Sequence, residues 1–210
     1  MSIYALFTKQ DSRSFFKKLR TAYDSFRVSS RERRKRQEIP ITALTRRPRQ
    51  YSQGINVVFI CHNDIHLIES FLLHYRAMGA AHFIVLDDAS TDGTREFLLN
   101  QNDVDVWESP LRYSEARRGR QWREQLFEAY GKDRWYVNVD SDEFLVFADC
   151  ETRSLSELVG VLERAGDKRL AAPMIDMYAG PGVRPNLTRN PPWTISDHFD
   201  SSGYDVSLDK

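Results

Sequence analysis

The sequence is poor in cysteine and in long apolar runs. Cys61 and Cys150 are the only cysteines among 210 residues, and they provide neither a disulfide framework nor the ligand spacing of a zinc site. No apolar run approaches the length of a membrane span, and the N-terminus lacks the continuous apolar core of a signal peptide. We therefore expect a cytoplasmic protein that keeps both thiols reduced.

Glycine-rich nucleotide motifs are also missing. The first predicted strand is not followed by G-x-G-x-x-G, which argues against a dinucleotide-dependent oxidoreductase. The P-loop motif G-x-x-x-x-G-K-[ST] is absent, which argues against P-loop ATP chemistry. The serines lack a G-x-S-x-G context, so an α/β-hydrolase is not supported. A nucleotide could still be held by carboxylates that accept hydrogen bonds from its base and ribose.

Charge is balanced overall but unevenly distributed. The formal net charge is zero, yet residues 1–50 contain 14 Lys or Arg and only 4 Asp or Glu. This asymmetry predicts a basic N-terminal helix and linker (1–50) on an acidic body. Apolar side chains at helical spacing in 12–27, followed by a basic run to residue 36, indicate a basic amphipathic helix. We favour a helix that docks on its own domain or stays solvated. The alternative is peripheral contact with an anionic membrane through residues 12–36. The acidic body argues against a nucleic-acid partner.

Strand and helix patterns alternate from residue 51 to residue 180. This alternation predicts an α/β domain with a mostly parallel sheet and flanking helices. The predicted strands are 55–61, 82–86, 104–107, 135–139 and 170–175, and the predicted helices are 64–78, 95–99, 114–130 and one around 155–162. Gly79 is expected to end the first of these helices. Residues 181–210 show no period and are expected to be irregular.

Polar clusters follow three of these strands: Cys61-His62-Asn63-Asp64, Asp87-Asp88 and Asp140-Ser141-Asp142-Glu143. Burying an unpaired carboxylate is costly, so Asp140 and Asp142 are expected at the carboxyl end of a strand, facing a crevice. A hard divalent cation bound to a substrate diphosphate prefers such carboxylate oxygens. The D-x-D motif by itself is short, and an acidic turn is then the better interpretation.

Two stretches together resemble a known family. VLDDASTDGT (85–94) resembles the V-D-D-x-S-x-D-x-T signature of family 2 glycosyltransferases, and VDSDEF (139–144) is similar to the D-x-D-E-F form of a bacterial subgroup of these GT-A enzymes. RGRQWR (118–123) is similar to the helix that precedes this motif in the subgroup. The resemblance spans about residues 55–178, and the two motifs in order are more specific than either alone. It implies a GT-A-like, Rossmann-related fold and the transfer of a sugar from a nucleoside-diphosphate donor.

The resemblance also implies a nucleotide-sugar pocket. Asp87 and Asp88 would contact base and ribose, with Cys61 and Asn63 nearby. Arg118 or Arg120 would assist the diphosphate. A UDP-type or GDP-type sugar is the expected donor, and the acceptor, a glycan or a lipid, is not specified.

A metal site is implied at the second motif. Asp140 and Asp142 would hold Mn²⁺ or Mg²⁺, with Asp142 the more direct ligand, and Asp140 would also border the donor. The metal would neutralise the leaving nucleoside diphosphate.

The acceptor side is less complete. In the family, the base that deprotonates the acceptor hydroxyl lies well beyond D-x-D, near or past Lys210 here, so we expect a chain truncated at its C-terminus. Asp176, at the end of the predicted strand 170–175, is the best base within the chain. Two alternatives remain open: a non-catalytic nucleotide-sugar-binding relic, and a nucleotidyltransferase.

Overall fold

The computed structural model describes residues 40–45, 54–170, 172–180, 192–194, 196 and 198–199. They belong to one compact unit, Pro40–Lys210. The predicted basic helix at 12–27 and most of the segment 181–210 lie outside the described residues. No helix in the described part of the chain is long and apolar enough to cross a membrane.

Five strands form a mixed sheet in the order β1-β4-β3-β2-β5. The strands are β1 (Thr42–Ala43), β2 (Asn56–Cys61), β3 (His82–Asp87), β4 (Val104–Glu108) and β5 (Tyr136–Asn138). The last four are parallel, and β1 pairs antiparallel with β4 at one edge. The helices are α1 (Ile68–Ala77), α2 (Thr94–Leu99), α3 (Arg120–Tyr130) and α4 (Leu155–Ala165). The predicted α/β class with a mostly parallel sheet is confirmed, and the arrangement is consistent with a Rossmann-like fold.

The sheet is buried on both faces. Val57, Phe59 and Cys61 of β2 belong to a core cluster with α1, in which the rings of Phe59 and Phe71 lie 4.7 Å apart. Side chains alternate along a strand, so Val58 and Ile60 point to the opposite face, which α3 covers. Full burial of a large apolar side chain contributes about 1.5–3 kcal/mol. This double burial explains why the central strands β2 and β3 are mostly apolar.

A buried polar network joins α3 to β4. The Tyr130 hydroxyl donates to Asp105 Oδ2 at 2.7 Å and accepts from the Trp107 indole N–H at 3.0 Å. Burial and the neighbouring Asp105 carboxylate raise the Tyr130 pKa. A buried carboxylate is tolerated here because it has hydrogen-bond donors.

Helix α1 ends as its glycine predicts. Gly79 has φ +78°, which is favourable only without a side chain. Its N–H donates to the Arg76 carbonyl, and the Ala80 N–H donates to the Tyr75 carbonyl, both at 2.9 Å. These two bonds form a Schellman motif that closes the helix.

Helix α3 starts later than predicted. Helical structure was predicted from residue 114, but α3 begins at Arg120, after a turn at 113–119. Arg117, Arg118 and Gly119 all have positive φ, at +53°, +54° and +73°. An α-helix requires negative φ, so no helix can pass through these three residues.

The predicted strand at 170–175 is wrong. The described residues in this stretch form no strand, and Leu170, Met174 and Ile175 are 49%, 70% and 51% exposed. A strand is stabilised by packing on its neighbours, which these side chains lack. Pairing occurs later, where β6 (Met177–Tyr178) joins β7 (His198–Phe199) in a separate antiparallel sheet. A 3₁₀ turn at Pro192–Thr194 precedes β7.

Candidate functional site

The three predicted polar clusters meet at the carboxyl edge of the sheet. The chain runs from β2 to β3 and β4 on one side and then crosses to β5 on the other side of β2. Ligands of open α/β sheets bind where the strand order reverses in this way. The Ser141 hydroxyl, after β5, donates to Asp64 Oδ2, after β2, at 2.7 Å. The two loops that flank the reversal are therefore in direct contact.

Asn63 joins the loops after β2 and β3. Its N–H donates to Ser90 Oγ at 3.0 Å, and its side-chain oxygen accepts from the Thr91 N–H at 2.7 Å. Asn63 has φ +59°, a conformation that asparagine tolerates better than most residues. Asn63, which was predicted to lie near the nucleotide, thus shapes the edge of the crevice, by which we mean the region beside the loops after β2, β3 and β5. Its contact with a ligand stays a prediction.

Asp92 strengthens the same junction. It accepts the Ile65 N–H and the N–H and hydroxyl of Thr94, at 2.6–3.0 Å. Burial alone would raise the pKa of Asp92, but these hydrogen bonds outweigh it and lower the pKa. Asp92 is therefore a structural anion that holds the two loops together.

Asp87 is fully buried at the end of β3. Its oxygens accept from the Ser90 N–H at 3.2 Å and from Arg95 Nε at 2.6 Å, and Arg95 Nη1 also reaches Glu108 Oε2 at 3.1 Å. The Cys61 thiol lies 3.8 Å from Asp87 Oδ1. Burial, and then the negative charge of Asp87, raise the pKa of Cys61. Asp87 and Cys61, both predicted to border the nucleotide, are thus engaged within the protein.

Asp88 differs from Asp87 in its hydrogen bonding. It is 7% exposed, and its Oδ2 accepts the Tyr113 N–H at 3.3 Å. Arg112 Nε lies 3.5 Å from the buried Oδ1, and this oxygen accepts no hydrogen bond from any described residue. Buried carboxylate oxygens normally have donors, so Oδ1 has the capacity to bind a ligand hydroxyl or N–H.

The acidic loop, residues 139–145, is anchored on α1. The Tyr75 hydroxyl donates to the Glu143 carbonyl at 2.9 Å and accepts the Leu145 N–H at 3.0 Å. His74 Nε2–H donates to the Leu145 carbonyl at 2.9 Å. Burial lowers the pKa of His74. Three hydrogen bonds therefore tie the loop to α1.

Arg123 of α3 holds the other end of the acidic loop. Its Nη2 donates to the Asp140 carboxylate and, at 3.2 Å, to the Val139 carbonyl. The Asp140 N–H donates to Glu143 Oε2 at 2.8 Å. The Asp140 side chain is 48% exposed, whereas Asp142 is exposed and makes no hydrogen bond or ion pair within the described residues.

The loop does not form a metal site by itself. No three His, Cys, Asp or Glu side chains of the described residues cluster closely enough to hold a metal ion. Asp140, one of the two predicted ligands, already has a guanidinium partner in Arg123. The donor set shown therefore does not fit a protein-built Mn²⁺ or Mg²⁺ site, and this ligand assignment stays a prediction.

Two other predicted residues lie away from these contacts. Arg118 is exposed, in the left-handed turn before α3, and makes no hydrogen bond or ion pair with another described residue. Asp176 is exposed, and the parallel strand that was expected to end there is absent from the described residues. The prediction that Asp176 ends a strand is therefore wrong, and its role as the base stays a prediction.

The sequence patterns gave no individual role to the side chains that organise the crevice. These are Ser141, Tyr75, Arg95, Arg112 and Arg123, which tie the loops to one another and to the helices. Tyr75 lies within the predicted helix 64–78, and its position there gave no sign of the bonds that its hydroxyl makes. Among the arginines, Arg123 could have been suspected, because it lies off the apolar face of α3 and precedes the acidic loop.

No family model matches the chain, and no curated protein matches it either. The proposed function therefore rests on the geometry and chemistry of the crevice.

Proposed function

We propose that the protein is a glycosyltransferase with a GT-A-like fold that binds a nucleoside-diphosphate sugar at the crevice between β2, β3 and β5. The main support is Asp88 Oδ1, a buried carboxylate oxygen that accepts no hydrogen bond from the described residues. Ribose hydroxyls and the N–H groups of uracil or guanine are donors that suit such an acceptor. The two motifs that resemble family 2 glycosyltransferases border this crevice.

The proposal gives each loop a role. The β3 loop would offer Asp88 to the nucleoside, and Asp140 and Asp142 of the β5 loop would border the sugar and the diphosphate. During transfer the acceptor oxygen attacks the anomeric carbon while the bond to the diphosphate oxygen breaks. The diphosphate leaves with the electron pair, and the acceptor proton passes to a base. The fixed acidic loop orients the donor for this step.

Calorimetric titration with UDP and GDP, with and without Mn²⁺, tests the binding half of the proposal. Asp88→Asn should weaken nucleotide binding about 10- to 100-fold, because a hydrogen bond to a charged group contributes about 1.5–3 kcal/mol. Asp167→Asn, at an exposed residue beyond α4, is the control and should bind as the unchanged protein does. Absence of UDP and GDP binding in every condition would overturn the proposal.

Product analysis with UDP-sugars and GDP-sugars tests the catalytic half. Release of UDP or GDP in step with transfer to an acceptor supports a glycosyltransferase. Donor binding without hydrolysis or transfer favours the binding relic. Consumption of a nucleoside triphosphate with release of pyrophosphate identifies a nucleotidyltransferase instead.

A further inference from the structure

Each of three strand-end aspartates of the crevice has an arginine partner. The pairs are Asp87 with Arg95 at 2.6 Å, Asp88 with Arg112 at 3.5 Å, and Asp140 with Arg123. The third pair is the most relevant to a diphosphate, because Asp140 is one of the two carboxylates of the D-x-D motif and the one that already has a cationic partner.

Arg123 is held firmly and still has unused donors. Its side chain is 15% exposed, and Nη2 donates to the Asp140 carboxylate and to the Val139 carbonyl. Nε is buried and has no hydrogen-bond partner, and Nη1 makes no hydrogen bond to any described residue. A guanidinium carries five N–H donors in a planar fork that suits phosphate oxygens. Arg123 can therefore keep Asp140 and also donate to a phosphate.

A divalent cation at Asp140 would have to share the carboxylate with this guanidinium. Two like charges within about 4 Å repel each other, and they do so more strongly in a partly buried site than in water. The geometry therefore sets Arg123 and a metal in competition for Asp140, while Asp142 has no such partner among the described residues.

We propose that Arg123 supplies the positive charge for the donor diphosphate, so that nucleoside-diphosphate binding at this crevice does not require a divalent metal. This inference rests on the proposed function, since it assigns the cation of the same site. Arg123 is then a binding residue for the diphosphate, and Asp140 positions its guanidinium.

Calorimetric titration of the whole chain with UDP and GDP, in EDTA and in Mn²⁺, tests the inference. The dissociation constant of the better nucleotide should change less than about 3-fold between the two buffers. Arg123→Gln should weaken that nucleotide about 10- to 100-fold, in keeping with a charge-assisted bond to phosphate. Arg123→Lys should recover only part of the loss, because lysine keeps the charge but lacks the fork.

The control is Arg76→Gln, which also breaks a part-buried arginine–aspartate pair, with Asp103 at 2.6 Å, at the far end of α1. This variant should bind the nucleotide as the unchanged protein does. The nucleoside without phosphate separates charge from folding: Arg123→Gln should leave its affinity unchanged, whereas a misfolded crevice would lose it.

The outcomes separate the two proposals. Nucleotide binding that disappears in EDTA and returns with Mn²⁺ overturns the role of Arg123 and leaves the proposed function standing. Binding in EDTA that Arg123→Gln does not weaken also overturns that role. Absence of binding in both buffers overturns the proposed function itself.

Discussion

Gly119→Ala should destabilise the protein more than a glycine substitution at a similar helix boundary. Gly119 precedes α3 with φ +73°, and a Cβ built on it would lie 2.2 Å from Ile60 Cδ1 and 2.9 Å from the Tyr113 ring. Left-handed backbone costs a non-glycine residue about 1–2 kcal/mol. Overpacking in a core adds about 1–3 kcal/mol. The expected loss of unfolding free energy is therefore about 2–5 kcal/mol.

Gly166→Ala is the matched control for backbone strain. Gly166 follows α4 with φ +80°, and a Cβ there would meet nothing within 4 Å. It should lose only the backbone term of about 1–2 kcal/mol. Urea unfolding, followed by tryptophan fluorescence and circular dichroism, measures both losses if the transitions are two-state.

The clash can be isolated by removing its partner. Ile60→Val deletes Cδ1, the nearest atom to the new Cβ, and by itself should cost about 0.5–1.5 kcal/mol. If Gly119 packs closely against Ile60 of β2, Gly119→Ala combined with Ile60→Val should lose less unfolding free energy than the sum of the two single losses. Equal losses for Gly119→Ala and Gly166→Ala, together with strict additivity, would refute the packing argument.

Three further predictions concern the helix that carries the acidic loop and the two thiols. Burial lowers the His74 pKa below 6.5. The contribution of neutral His74 to stability is therefore complete above pH 6.5 and falls as the pH drops below that value. The difference between the unfolding free energies at pH 7.5 and pH 5.5 should be smaller in His74→Gln than in the unchanged protein. Tyr75→Phe should cost about 1–3 kcal/mol in urea unfolding, because it removes both hydroxyl bonds to the acidic loop. An alkylating reagent should label Cys150 before Cys61, whose pKa is raised by burial; equal labelling rates in the native protein, read by mass spectrometry, would contradict the buried position.

The sheet could be predicted because its strands are buried on both faces. The strands β2 and β3 are mostly apolar runs that end in polar residues, and such runs leave few alternatives. The position of the polar loops at one edge of the sheet could be predicted from the parallel direction of the strands that they follow. The pairing of β1 with β4 was not predicted, because a strand of two residues carries no periodic signal.

The errors have two physical causes. At 114–119 the predicted helix was extended ahead of its apolar stripe, which begins at Trp122, and it ran through Arg117 and Arg118, whose positive φ excludes helix. Neither arginine is a residue that typically marks such a turn. At 170–175 the composition suited a strand, but composition does not show whether a neighbouring strand is present.

The arginine–aspartate pairs show why the D-x-D stretch is ambiguous in sequence. Whether Asp140 holds a metal or belongs to an ion pair depends on the side chain that faces it, and that side chain comes from a different element. Arg123 reaches Asp140 because α3 packs on β2, next to β5, with the close approach that Gly119 permits. The identity of the cation at this crevice is thus decided by helix packing. If Gly119→Ala displaces the start of α3, nucleotide affinity should fall together with stability, whereas Gly166→Ala should lower stability alone.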